Sequence, residues 1–175
     1  HKAHPAHPRT CDLVAGAVHR AVSSVPGIPE DAFAMVHGIN PEVGSALVRH
    51  PAARVGGFTG SLAAGRALYD LATQRPRPIP FYAEMGSVNP VVLLPGALGS
   101  KWESIAAGLA GSVTLGAGQF CTNPGLVFAT SGSPAIADAT LVSKFLKELV
   151  RIMDRIAPSE MLTSGIASAY ESGLH

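Results

Sequence analysis

Between residues 10 and 73 the apolar residues alternate between helical spacing and short unbroken runs, and that alternation leaves the chain few layered architectures to adopt. Leu13, Val14, Ala17, Val18, Ala21 and Val22 recur at helical intervals, with Thr10 as cap and Pro26-Gly27 as stop, which predicts an amphipathic helix. Residues 32–36, bounded by Asp31 and Gly38, form a short apolar run that predicts a buried strand. Asn40-Pro41 opens a second helix through Val43, Ala46 and Leu47. It stops at His50-Pro51, because the residue before a proline avoids the helical region. Residues 55–58 predict the next strand. Thr59-Gly60-Ser61 is then a turn with a capping hydroxyl, and residues 62–73 a third helix. Strands and helices in this order form a parallel sheet with crossover helices, and the glycine-rich strand-to-helix turns of that architecture are where phosphates sit.

Residues 75–80 contain three prolines and break the rhythm, which predicts an exposed linker with Arg75 and Arg77 in solvent. Short strands at 81–84 and 91–94 flank Gly86-Ser87, and a domain boundary is expected there. A helix from Trp102 through Ile105, Leu109 and Val113 follows, with Trp102 packed against its domain. A strand at 126–130 and a long helix at about 134–156 complete the reading, the helix burying Ile136, Leu141, Val142, Phe145, Leu149 and Met153. At 175 residues the chain can bury one good core, or one domain and part of a second. A formal net charge of +1 with 14% charged residues leaves no footprint for nucleic acid or an anionic membrane. No apolar run approaches the roughly 20 residues that span a bilayer, and no signal-peptide pattern opens the chain. A cytoplasmic protein is expected, with both of its two cysteines, Cys11 and Cys121, reduced. The opening His1-Lys2-Ala3-His4-Pro5 reads as a cut strand and Tyr170 onward as the front of a helix, so a segment of a longer protein is expected.

Chemistry points to residues 116–125, where Cys121 lies in a loop bounded by Gly116, Gly118 and Gly125. Those glycines permit left-handed backbone, so the loop can present one side chain at a fixed angle. From the loop alone, Cys121 is equally a nucleophile or a small buried hydrophobe. Taken singly, Glu84 reads as a solvated strand-end carboxylate, Gly60, Ser61 and Gly65 as a capped turn with a close-packing glycine, and Lys2 as a surface lysine. His1, His4 and His7 with Cys11 beyond have a superficial metal-site spacing, but Pro5 and Pro8 preclude a regular helix and no second ligand pair follows, so no metal is expected.

Taken together, Phe58-Thr59-Gly60-Ser61 with Gly65, Glu84-Met85-Gly86-Ser87-Val88-Asn89-Pro90, and Gly118-Gln119-Phe120-Cys121 resemble, in order and separation, the signatures of the aldehyde dehydrogenase superfamily. The resemblance covers nearly the whole chain. Tyr82-Ala83-Glu84, the Cys121-Thr122 pair and Met161-Leu162-Thr163 bring it nearest the bacterial branch that oxidises 2,5-dioxopentanoate (α-ketoglutaric semialdehyde). It implies an α/β fold in which residues 1–84 are the later part of a Rossmann-like cofactor domain and residues 85–175 open the catalytic domain. It also implies that a small-molecule aldehyde is oxidised to the carboxylate with NADP or NAD, in a protein that is a homo-oligomer at full length. Cys121 would be the nucleophile, its own N–H facing the developing oxyanion, and Glu84 the base that takes a proton from the deacylating water. Gly60, Ser61 and Gly65 would form the turn facing the cofactor pyrophosphate, and the Lys2 ammonium would reach the adenosine ribose or its 2′-phosphate.

Departures from the family pattern are informative. Many members have a glutamate three residues after the lysine; Pro5 stands there, which removes repulsion against a 2′-phosphate and favours NADP over NAD. Ser87 replaces the second glycine of the base motif, Met85 its leucine, and Asn40 a common glycine. The family's oxyanion asparagine and its nicotinamide-ribose glutamate are not in the sequence, so the other reading is a catalytically incomplete fragment with a structural or interaction role. A cofactor-free cysteine hydrolase would need a histidine partner for Cys121, and His37, His50 and His175 carry no motif for that role.

Overall fold

The computed structural model describes residues 1–129 and 140–174, which form two compact units, His1–Gly86 and Ser87–His175. In the first unit α1 runs Pro8–Ser24, starting two residues before Thr10 because Pro8 occupies the first helical position, where its fixed φ and missing N–H cost nothing. The buried strand expected at 32–36 is not formed. Glu30–Ala32 wind into a 3-10 turn set off by Pro29, and the remainder pairs only through a parallel bridge between Val36 and Lys2. Two hydrogen bonds make that bridge, Ala3 N–H to the Val36 carbonyl at 2.9 Å and Val36 N–H to the His1 carbonyl at 2.8 Å.

Helix α2 spans Pro41–Arg49, β1 Gly56–Thr59, α3 Leu62–Thr73 and β2 Phe81–Glu84. Strands β1 and β2 pair in parallel with Gly56 opposite Phe81 and Thr59 opposite Glu84, the crossover being α3 as the alternation requires. Arg75 corrects the reading of 75–80 as a solvated linker. Its half-buried guanidinium donates to the carbonyls of Val48 (3.0 Å), His50 (3.0 Å) and Ala53 (3.2 Å), satisfying orphan acceptors at and beyond the C-terminus of α2.

The second unit holds β3 (Val91–Leu93), α4 (Pro95–Thr114), β4 (Val127–Ala129), α5 (Leu141–Met153) and α6 (Ser164–Gly173). Strands β3 and β4 are parallel, with Val91 opposite Val127. Helix α4 begins seven residues earlier than Trp102, since Pro95 again takes the first position; it breaks at Lys101 (φ −141°), and Trp102 opens its second segment. Residues 130 and 134–139, where parts of the expected strand and long helix fall, lie outside the described residues; α5 covers the rest of that helix to Met153. Helix α6 starts at Ser164, ahead of the expected Tyr170, because Thr163 caps it by accepting from the Ile166 N–H at 3.2 Å. The core is Leu93, Leu98, Ala106, Leu109 and Phe145, with Trp102, Ile105 and Leu149 packed against it.

Candidate active site

The parallel register brings the C-terminal ends of β1 and β2 side by side, where ligand turns of α/β sheets lie. There the Gly60 N–H donates to the Glu84 carbonyl at 3.1 Å, fixing the turn to the neighbouring strand end. Ser61 caps α3: its Oγ accepts from the Ala64 N–H at 3.3 Å. Gly65 is buried, and a Cβ there would run into the Met85 side chain and the Phe58 ring, so its absence lets the first turn of α3 lie against the strand ends. The N–H groups of Leu62 and Ala63 donate to no acceptor among the described residues, leaving the positive end of the helix open.

Glu84 presents an exposed carboxylate without a hydrogen bond or ion pair among the described residues. Lys2 is half-buried, its Nζ donating to the Ala3 carbonyl at 3.0 Å. Both line one open groove of about 1390 Å³ in the first unit, together with Thr59, Leu68 and Tyr82. Gly60, Ser61 and Gly65 stand beside the groove rather than in its lining.

Cys121 belongs to the second unit. Helix α4 ends at Thr114, and Gly116 (φ +60°), Ala117 (φ +55°) and Gly118 (φ +74°) then take left-handed backbone in succession, which reverses the chain. Cys121 is a free, exposed thiol, and its own N–H has no acceptor among the described residues. The thiol is therefore accessible, which removes the reading as a buried hydrophobe.

Side chains from outside and inside the loop suspend it. The carbonyl of Cys121 accepts from the Asn89 amide at 2.6 Å and from the Ser87 hydroxyl. The same Asn89 Nδ2 reaches the Asn123 carbonyl at 3.0 Å, and the Asn123 amide donates in turn to the Val113 and Leu115 carbonyls at 3.0 Å, at the frayed end of α4. Gln119 receives the Leu162 N–H on Oε1 at 3.0 Å and donates to Gly116 at 2.9 Å, tying the loop to the segment before α6. Asn89 and Asn123 escaped the sequence reading as functional residues. The available signal was Asn-Pro in both places, Asn89-Pro90 and Asn123-Pro124, each just ahead of a strand, with Asn89 at φ +44°, a value asparagine tolerates.

The histidine-rich start gathers no metal set: no group of three His, Cys, Asp or Glu side chains among the described residues is placed to hold an ion. Instead the Cys11 Sγ accepts from the His4 N–H at 3.4 Å. The perturbed carboxylate among the described residues is remote in sequence from these motifs: Glu148 is held below its usual range by a hydrogen bond from Arg151.

Comparison with known proteins adds identity to this geometry. The family model described as "Aldehyde dehydrogenase family" matches residues 1–167. Alpha-ketoglutaric semialdehyde dehydrogenase 2 of Azospirillum brasilense is 45% identical over 172 residues, which is 98% of this chain and 31% of that protein. The alpha-ketoglutaric semialdehyde dehydrogenase of Acinetobacter baylyi is 42% identical over 173 residues, 99% of this chain and again 31% of the relative. The chain thus spans about a third of the length of these curated relatives. Among solved structures, a variant of Bradyrhizobium japonicum Proline Utilization A aligns with a TM-score of 0.78 at 20% identity, covering 99% of this chain and 17% of that one. A NAD-dependent benzaldehyde dehydrogenase from Corynebacterium glutamicum aligns with a TM-score of 0.65 at 22% identity, over 85% of this chain and 31% of that one. At those identities the structures speak for the fold, which is the α/β fold the alternation predicted.

Proposed function

The chain belongs to the aldehyde dehydrogenase family, and from that premise we propose that it carries the nucleophile and the base for oxidation of an aldehyde to its carboxylate with NADP or NAD. The observation that carries this reading is Cys121: an exposed thiol on a suspended loop, with its own N–H unengaged. The thiolate adds to the aldehyde carbon, and the oxyanion so formed takes the Cys121 N–H as a hydrogen-bond donor. A dinucleotide held at the Gly60-Ser61 turn and Lys2 would supply the hydride acceptor, and loss of hydride from that carbon would leave a thioester on Cys121. Glu84 takes a proton from water as the water attacks the thioester, and collapse releases the carboxylate and returns the thiol. An exposed carboxylate with no competing partner suits that task.

The turn at Gly60-Ser61 fits a pyrophosphate: the first N–H groups of α3 are unengaged, the helix end is positive, and Gly65 keeps that end close to the strands. Lys2 would hold the adenosine ribose or its 2′-phosphate, and Pro5 in place of an acidic residue favours NADP. The names of the two bacterial relatives support 2,5-dioxopentanoate as substrate. No helix among the described residues is long and apolar enough to cross a membrane. A cytoplasmic location, in keeping with the two free thiols, and a homo-oligomer at full length are part of the same proposal.

The test is reduction of NADP by the longest natural form of the chain, with 2,5-dioxopentanoate and simple aldehydes. Wild type should turn over, and Cys121→Ala should lose more than about 10³-fold of that rate. If the long form binds the dinucleotide yet is silent with every aldehyde, the catalytic reading gives way to a structural or interaction role.

A further inference from the structure

We infer that Ser87 and Asn89 are positioning residues for Cys121, gripping its carbonyl oxygen and so holding in place the Cα that bears its thiol. This rests on the assignment of Cys121 as nucleophile. A carbonyl oxygen can accept two hydrogen bonds, and here two donors reach it, the Asn89 amide at 2.6 Å and the Ser87 hydroxyl, which in turn accepts from the Asn89 amide at 3.1 Å. With the carbonyl held, the peptide plane that follows Cys121 is fixed, and with it the position of the Cα that carries the thiol.

Among the described residues no other donor reaches that carbonyl. The loop enters through the left-handed run at 116–118 and leaves through Gly125. The grip itself is anchored. Asn89 stands two residues before β3, locked in left-handed backbone ahead of Pro90, and its amide also holds the Asn123 carbonyl at 3.0 Å. Asn123 is fastened to the end of α4 through the Val113 and Leu115 carbonyls. The Cys121 carbonyl is thereby referred to a strand start and to a helix packed on the core. Ser87 adds a second donor through a side chain, at a position where the family pattern has a glycine and therefore no hydroxyl.

The variants separate positioning from mere anchoring. Asn89→Asp keeps size and tolerance of left-handed backbone but turns a donor toward two carbonyls into an acceptor. Ser87→Ala removes only the hydroxyl, and Ser87→Thr keeps it. In the longest natural form, Asn89→Asp should lower kcat by about 10²-fold with KM within about threefold. Ser87→Ala should lower kcat by about tenfold, and Ser87→Thr should recover most of that loss. Independently of any aldehyde chemistry, amide exchange at 116–123 should quicken by about three- to tenfold in Asn89→Asp while that of α4 stays as in wild type. Unchanged kcat and unchanged exchange in Asn89→Asp would overturn the inference while leaving the dehydrogenase reading in place, as would Ser87→Thr being as impaired as Ser87→Ala. If wild type oxidises no aldehyde but the exchange of the loop still quickens in Asn89→Asp, the dehydrogenase reading fails and the grip on Cys121 stands. Should Asn89→Asp not fold, Ser87→Ala and Ser87→Thr decide the matter, because both keep the Asn89 side chain and its bonds to the Cys121 and Asn123 carbonyls, while only Ser87→Ala removes the hydroxyl that also accepts from the Asn89 amide at 3.1 Å.

Discussion

Gly125 receives the full consequence of the loop's close approach to the base motif's segment. Its N–H donates to the Val88 carbonyl at 2.8 Å, and a Cβ placed on it would lie 2.9 Å from that same oxygen, closer than carbon and oxygen can pack. Gly125→Ala should therefore break this bond and loosen the Cys121 loop, at a cost of about 1–3 kcal/mol in urea unfolding. The sequence named Gly125 as a loop boundary but could not say what it approaches. Asn89 and Asn123 were hidden for the same reason: Asn-Pro advertises a turn, whereas the carbonyls their amides reach lie up to 34 residues away. Arg75 was hidden in reverse. The three prolines that follow it read as exposed linker, yet three carbonyls at 3.0–3.2 Å around its guanidinium draw it onto the end of α2. Cys121, Glu84, Gly60 and Ser61 stand in motifs whose neighbours are fixed in the chain, so the sequence alone singles them out; their roles belong to the proposed function.

At the scale of elements, local signals succeeded where a cap and a period agreed. Helix α3 was read with the bounds it has, since Ser61 caps it and its apolar residues keep the helical interval. Helix α4 was read late because Gly96 and Gly99 interrupt the apolar period in its first segment, so only the part after Lys101 announced itself. The run at 32–36 failed as a strand because apolar residues extend into a ladder only where a partner strand exists, and Lys2 supplies a bridge alone. Helix α5 joins the second core chiefly through Phe145, which is 1% exposed and sits in the cluster with Leu98 and Leu109. Phe145→Ala should cost about 3–5 kcal/mol in urea unfolding, through lost burial and the cavity left behind. A cost under about 1 kcal/mol would mean that α5 is not a core helix.

At the scale of the whole molecule, the chain carries two compact units, each with its own parallel strand pair and crossover helix. Parallel strands with crossover helices are what the strand and helix rhythm of residues 10–73 predicts. The proposed function draws on both units, Glu84 from the first and Cys121 from the second. That joint claim is tested most directly by mass spectrometry on the Glu84→Gln variant of the longest natural form, mixed with 2,5-dioxopentanoate and NADP. With the base disabled, the acyl group should accumulate as a thioester on the peptide containing Cys121 and not on Cys11, with roughly one NADPH formed per chain. Steady turnover at the wild-type rate with Cys121 unmodified would contradict the account.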